Sequence, residues 1–275
     1  MTDENPTTNA DAANATDGYD WDNHWDAYGE AAEGNPANIY RRNLILKLLG
    51  RPPAGSTVID IGSGQGELAL HVQRTYPDLA VWGVEYSAAG VARGRALATK
   101  EGSRAEFRQV DLLQPVDLAD APPPATFAYC SEVLEHVDDP VKLMYNARAL
   151  LAPGCRVVIT VPGGPRSAFD HHIGHLQHFN AAKLHTVLTD AGYTVNRVLR
   201  AGAPFFNLYK LAVIARGKRL ITDVERRTPD TSTIPGESAM KSFFNFGFRH
   251  SLDNAPFGWQ MAAVATVPAE TPGPA

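Results

Sequence analysis

The sequence predicts an α/β protein built on a doubly wound, Rossmann-like parallel sheet. Three features predict it. Strand-like and helix-like stretches alternate from residue 57 to residue 200, a glycine-rich turn joins the first of these strands to the first helix, and acidic residues stand at the ends of the strands that follow. With 275 residues, 44% of them hydrophobic, the chain suits one large domain with appendages, or at most two domains.

Residues 1–18 are rich in Asn, Asp, Thr and Ala and carry no large apolar side chain after Met1, so they read as a disordered tail. Residues 19–50 read as an N-terminal helical cap. Tyr19, Trp21, Trp25 and Tyr28 stand among acids there, and Pro36 opens an amphipathic helix through Ile39, Tyr40, Leu44, Ile45, Leu48 and Leu49. The aromatics read either as a lid over a ligand or as packing on the sheet edge. The core is expected at 51–202 together with 257–268. It opens with the loop Arg51–Gly55 and the β-branched strand 57–61. Further strands are expected at 80–84, 105–110, 126–131, 155–161 and 194–200, with helices at 66–75, 87–100, 139–151 and 180–191. Residues 203–256 form an insertion expected to lie over an acceptor pocket as a substrate lid.

Composition narrows the function classes. A net charge of −5 gives no overall drive toward nucleic acid. Cys130 and Cys155 both sit in strand-like runs and read as buried free thiols, which fits a reducing, cytoplasmic setting. The first residues lack a basic stretch followed by an apolar one, and no apolar run is long enough to span a bilayer, so a soluble protein is expected.

The chemistry begins at Val58–Leu68, Val-Ile-Asp-Ile-Gly-Ser-Gly-Gln-Gly-Glu-Leu. Glycines at 62, 64 and 66 let the backbone turn tightly and bring peptide N–H groups against a ligand, beside a helix N-terminus that favours negative charge. Glu85 follows about twenty residues later, where an acid can accept both hydroxyls of a ribose. Asp111, with Leu112 behind it, could hold an adenine amino group and flank its ring. Glu67 follows Gly66 where a dinucleotide fingerprint wants a small residue, so a pyrophosphate-bearing cofactor is second choice.

At this point the sequence resembles the class I S-adenosylmethionine-dependent methyltransferases over roughly residues 20–202 and the last strand. The matching segments are 58–66, Gly-Val-Glu-Tyr-Ser at 83–87, Gln-Val-Asp-Leu at 109–112, Cys-Ser-Glu-Val-Leu-Glu-His-Val at 130–137 and Leu-Ala-Pro-Gly-Cys-Arg-Val-Val-Ile-Thr-Val-Pro at 151–162. The resemblance implies S-adenosylmethionine as cofactor. It places Asp60, Gly62 and Gly64 at the methionine part, Glu85 at the ribose, Tyr86, Asp111 and Leu112 at the adenine, and Ser131 on the floor. It also implies a seven-stranded sheet whose last strand is antiparallel, supplied by Gly258–Val267 and closing back beside 194–200.

Glu132, Glu135 and His136 stand at i, i+3 and i+4, so a helical turn after the fourth strand would face all three one way, a set suited to Mg²⁺ or Mn²⁺. The arrangement resembles the metal-binding Glu-x-x-Glu-His of small-RNA 2′-O-methyltransferases and ubiquinone-pathway O-methyltransferases, which place a further His before the next helix; His175 is that candidate. The other reading has this segment bracing the sheet without a metal. His171, His172, His175 and His178 cluster before a helix capped by Asn180, and His175, then His171, is the choice for a general base. In the insertion, the stretch 204–221 joins aromatic and aliphatic residues to a basic end, and Arg197, Arg200, Lys210, Arg216, Lys218, Arg219, Arg226 and Arg227 outnumber Asp223 and Glu225. It reads as a peripheral membrane contact, a receiver of a phosphorylated substrate, or a packed helix with solvated cations. Phe243, Phe244, Phe246 and Phe248 read as an apolar pocket wall or as core. The expected activity is methyl transfer to a small-molecule acceptor, at a hydroxyl oxygen before nitrogen or carbon. The alternatives are a non-catalytic cofactor-binding module acting through a partner, and an RNA 2′-O-methyltransferase.

Overall fold

Val58, Ile59 and Ile61 form a fully buried strand, and the other strands are laid on either side of it. The computed structural model describes residues 21–22, 35–119, 121–225 and 237–269. The expected tail 1–18, three of the four N-terminal aromatics (Tyr19, Trp25, Tyr28) and residues 226–236 of the insertion lie outside them. The strands are β1 (Thr57–Ile61), β2 (Ala80–Glu85), β3 (Glu106–Gln109), β4 (Ala125–Ser131), β5 (Leu151–Pro162), β6 (Thr194–Ala201) and β7 (Gln260–Thr266), in the order β3-β2-β1-β4-β5-β7-β6. β1 to β5 pair in parallel, and β7 runs antiparallel between β5 and β6. The last strand thus closes beside 194–200 as expected and also pairs with β5. Strand order reverses between β1 and β4, where the carboxyl ends of a parallel sheet leave a crevice for a ligand.

Eight helices are described: α1 (Pro36–Leu49), α2 (Glu67–Thr75), α3 (Ala88–Glu101), α4 (Pro140–Ala147), α5 (Ala168–His172), α6 (Ala181–Asp190), α7 (Phe205–Glu225) and α8 (Glu237–Phe248). Local chemistry sets their ends. Asn35 accepts from the Ala37 N–H with Pro36 at the first position, Ser87 caps α3 through the Gly90 N–H, and Asn180 caps α6 through the Lys183 N–H. The expected helix 139–151 stops at Ala147. A 3-10 turn, Arg148–Leu150, feeds β5 at Leu151, which pairs with Ala125; Pro153 cannot extend a helix.

Apolar clusters cover both sheet faces. One joins α4 and α6 through Met144 and Leu184; the other joins α1, α2 and α3 through Ile45, Leu70 and Val91. Cys130 and Cys155 are free and buried in β4 and β5, as expected. The insertion is part of the second cluster: Phe206 and Phe248 lie 5.0 and 5.3 Å from the Tyr40 ring, and Phe244 is buried with them. Phe243 and Phe246 are exposed, so the four phenylalanines divide between core and surface. α7 breaks at Gly217, whose φ is 48°. Among the described residues, no helix is long and apolar enough to cross a membrane.

Phe107 of β3 controls how closely these elements meet. A Cβ on Gly66 or Gly83 would stand 2.5 Å from its ring, and one on Gly94 would stand 2.9 Å away. Gly66 also sits at φ 87°, where a side chain is strained. Gly66→Ala should therefore cost about 2–4 kcal/mol, from strain and overpacking together. A fall in the urea midpoint without a change of slope would show it.

Candidate functional site

The glycine turn is pinned from two sides. The N–H groups of Gly62 and Ser63 donate to the Val84 carbonyl at 2.8 and 3.0 Å. The Glu85 carboxylate accepts from the Gly64 N–H at 2.8 Å and the Ser87 N–H at 3.0 Å, so it ties the turn to the cap of α3. A Cβ on Gly62 would stand 2.5 Å from Val133, so the turn lies directly against the segment after β4. Burial raises the pKa of Glu85, while the N–H donors pull it back. Asp60 lies beneath, buried, with its carboxyl held well above the ordinary range by burial and with Oδ2 lacking a hydrogen bond.

The remaining cofactor candidates line the same edge. Asp111 accepts the Leu113 N–H at 2.8 Å, Leu112 is buried, and the Gln109 amide donates to the Tyr86 carbonyl at 2.9 Å. Burial, then the charges of Asp111 and Asp22, raise the Tyr86 pKa. Ser131 Oγ lies 3.0 Å from Thr160 Oγ1 on β5. Of the N-terminal aromatic segment, Trp21 and Asp22 are described. Asp22 accepts from Ser87 Oγ at 2.5 Å and the Ala89 N–H at 3.2 Å, and Trp21 packs edge-on against His136 with centroids 4.7 Å apart.

After β4 the chain departs from the expected α-helical turn. Glu132 has a left-handed φ of 56°, and the turn that follows is a 3-10 turn confined to Leu134–His136. Glu132 is not in the grouping that Glu135 and His136 form with His175, although its charge still acts on Glu135. The Glu132 oxygens pair with Arg41 Nη2 at 3.0 Å and accept Gln260 Nε2 at 2.8 Å, which braces α1 and β7 to the end of β4. Glu135 is 0% exposed, and neither of its carboxylate oxygens has a hydrogen-bond partner. Burial and the charge of Glu132 push its pKa well above the carboxylate range, against its own backbone N–H, Arg41 and Lys210. Glu135, His136 and His175 each offer one ligand atom, all within 4.8 Å of one another. Three of the four expected metal-site residues thus converge, and Glu132 is engaged elsewhere.

His175 is buried, with Nε2 4.0 Å from Glu135 Oε1. Burial and His136 hold its pKa far below the usual histidine value, so the ring stays neutral. His171 is exposed in the last turn of α5 and belongs to neither candidate metal grouping. Behind His175, Asp170 accepts from Ser167 N and Oγ at 2.6 and 2.7 Å and from Lys210 Nζ at 2.5 Å. Lys210 is therefore a buried partner of α5 and takes no part in an exposed basic face. Sequence reasoning missed Arg41, Gln260 and Asp170. The capping-box spacing of Ser167 and Asp170 was the one local signal; Arg41 and Gln260 reach Glu132 only through the tertiary fold.

A methyltransferase-domain family matches residues 37–198. The ubiquinone biosynthesis O-methyltransferase of Alkalilimnicola ehrlichii is 30% identical over 145 residues, 52% of this chain and 56% of that protein. The match thus spans little more than half of that relative. Among solved structures, phosphoethanolamine N-methyltransferase 2 of Haemonchus contortus, in complex with S-adenosyl-L-methionine, has a TM-score of 0.60 at 18% identity and covers 96% of this chain and 61% of its own. The cyclase SpnF has a TM-score of 0.59 at 16% identity, covering 91% and 96%. At such identities the likeness is one of fold, and one fold hosts several reactions.

The unpartnered Glu135 has a consequence for stability. Well below its ordinary pKa of 4.5, the carboxyl is neutral in both folded and unfolded states. As pH rises above that value the unfolded group ionises while the folded one resists, so the parent loses stability up to the raised folded pKa. Glu135→Gln, always neutral, should gain on the metal-free parent by about 1–3 kcal/mol between pH 4 and pH 8. Urea midpoints of both proteins across this range would read the growing difference; a constant difference would contradict it.

Proposed function

The chain belongs to the class I S-adenosylmethionine-dependent methyltransferases, and from that premise we propose that it methylates a hydroxyl oxygen of a small-molecule acceptor. The observation that carries this reading is the convergence of Glu135, His136 and His175 on the segment whose Val133 packs against Gly62 of the glycine turn. The name of the Alkalilimnicola relative, an O-methyltransferase, supports oxygen as the methylated atom. The net charge of −5 supports a small acceptor over a nucleic acid.

S-adenosylmethionine supplies a sulfonium methyl that a nucleophile displaces in line. The residues that would hold it are the turn Gly62–Gly66, Glu85 and the Tyr86, Asp111 and Leu112 edge. Each Glu85 oxygen already accepts one N–H, and a carboxylate has lone pairs left for two ribose hydroxyls. Trp21 and Asp22, resting on the ends of β4 and β2, support the lid reading of the N-terminal segment. Positioning the acceptor near the methyl is the main contribution asked of the pocket.

Glu135, His136 and His175 would hold Mg²⁺ or Mn²⁺, with a buried carboxylate that lacks a hydrogen bond and two imidazoles as donors. Such an ion favours the ionised form of a bound hydroxyl. The depressed basicity of His175 favours this ligand role over that of general base, because a proton on its ring is strongly opposed by burial.

Two outcomes test the reading. Glu85→Gln keeps an acceptor for the turn but loses the charge, so S-adenosylmethionine binding measured by calorimetry should weaken by about 1–2 kcal/mol. Unchanged affinity would take Glu85 out of the ribose site. Turnover with candidate hydroxyl acceptors should vanish on chelation and return with Mg²⁺ or Mn²⁺, while cofactor affinity holds. If chelation changes nothing and His175→Ala slows transfer by about 10²–10⁴-fold, His175 is a general base instead.

A further inference from the structure

Two backbone carbonyls determine which nitrogens of His136, His175 and His178 carry protons. A carbonyl oxygen only accepts, so any ring nitrogen bonded to one must be the N–H nitrogen. His178 Nδ1 lies 3.0 Å from the Gly164 carbonyl and His136 Nδ1 lies 3.1 Å from the Gly174 carbonyl. In the neutral rings, Nε2 of each is then the lone-pair nitrogen. His178 Nε2 is 3.2 Å from His175 Nδ1, which must therefore be the donor of that pair. His175 is left with its lone pair on Nε2, the atom that faces Glu135 at 4.0 Å.

We propose that His178 is a positioning residue that fixes His175 in the Nδ1–H tautomer and so aims the His175 Nε2 lone pair at the Glu135 side of the site. Gly164 sits at φ 71°, where a Cβ would stand 2.8 Å from the Trp259 indole, so a side chain there would displace the carbonyl that holds His178. Asp170 does not compete for the His175 Nδ1 proton at hydrogen-bond range. It lies 3.8 Å away, and its oxygens already take Lys210 and the Ser167 donors. The second possible metal grouping, Asp170, His175 and His178, is disposed of by the same contacts: an ammonium already sits on Asp170, and the His178 lone pair is directed at a proton. Outer-shell partners of this kind orient a ligating imidazole and hold the required tautomer. The assignment deepens the role proposed for His175 and rests on that reading for its purpose, while the tautomer itself is independent of any metal.

The experiment uses the full chain labelled with ¹⁵N-histidine, stripped of metal, and read by long-range ¹H–¹⁵N correlation. His175 should show Nδ1 protonated and Nε2 bare. His178→Phe, which keeps a ring but removes the acceptor, should shift His175 toward the Nε2–H form, and His178→Gln, which restores an acceptor oxygen, should return it. Mn²⁺ titration of the same three proteins should give a dissociation constant about 10–100-fold weaker for His178→Phe, with recovery in His178→Gln. A parent in which His175 carries its proton on Nε2 would overturn the proposal without any variant, as would an unchanged tautomer in a folded His178→Phe protein. Should the parent bind no Mn²⁺ while the tautomer responds as stated, the metal reading of the site fails and the positioning role stands.

Discussion

The cofactor edge depends on one packing constraint, the ring of Phe107 set into the space left by three glycines. Gly66 opens α2, Gly83 lies in β2 and Gly94 lies in α3, and a Cβ on any of them would overlap that ring. These elements carry the glycine turn, Glu85 and the Ser87 cap. The distance over which Glu85 can hold the Gly64 and Ser87 N–H groups is thus set from below, by how far one aromatic ring lets a strand and two helices approach. Interiors packed at crystal-like density do not absorb an added methyl by flowing around it. Glycine at 66 serves the ring as much as it serves the turn.

The doubly wound fold, and the meeting of the candidate cofactor residues along one sheet edge, were legible because they rest on local pattern and one topological rule. β-branched runs mark the strands, glycine marks the turn, and parallel strands bring their carboxyl ends together however far apart they lie in sequence. The acceptor side was less legible. Spacing of i, i+3 and i+4 aligns side chains only if the turn is α-helical and includes the first residue, and here Glu132 precedes a short 3-10 turn in a left-handed conformation. Its partners come from α1 and β7, at opposite ends of the chain, which no window of sequence can pair. Lys210 was hidden differently. Counted by charge it joins a basic stretch, yet its helix packs α7 on α5 and buries the ammonium against Asp170.

Left-handed backbone at a non-glycine residue costs roughly 1–3 kcal/mol and persists where the surroundings over-determine it. Glu132 meets that condition. Its N–H donates to the Thr160 carbonyl at 2.9 Å, and its side chain is gripped by Arg41 and by a Gln260 that also donates to the Val161 carbonyl at 3.0 Å. The kink ends β4 abruptly and turns the next residues inward, so that Val133 meets Gly62 while Glu135 and His136 meet His175. One strained residue thereby joins the cofactor turn to the acceptor side.

Glu135 and Asp170 are both buried carboxyls near His175, and their surroundings differ in a way that gives the site a direction. Asp170 is saturated: a lysine and a serine occupy its oxygens, and the lysine holds its pKa down against burial. Glu135 has no such partner in either protonation state. Neither of its oxygens makes a well-formed hydrogen bond, its own backbone N–H being the nearest donor, and His175 Nε2 at 4.0 Å is beyond hydrogen-bond range. His178 takes the Nδ1–H of His175 on the Asp170 side, which leaves the lone pair on the Glu135 side. A site whose own residues leave a carboxylate and an imidazole lone pair uncompleted together is completed by something brought in. In the proposed reaction that is the ion and the acceptor hydroxyl, and the cost of leaving Glu135 unsatisfied in their absence is recovered when they bind.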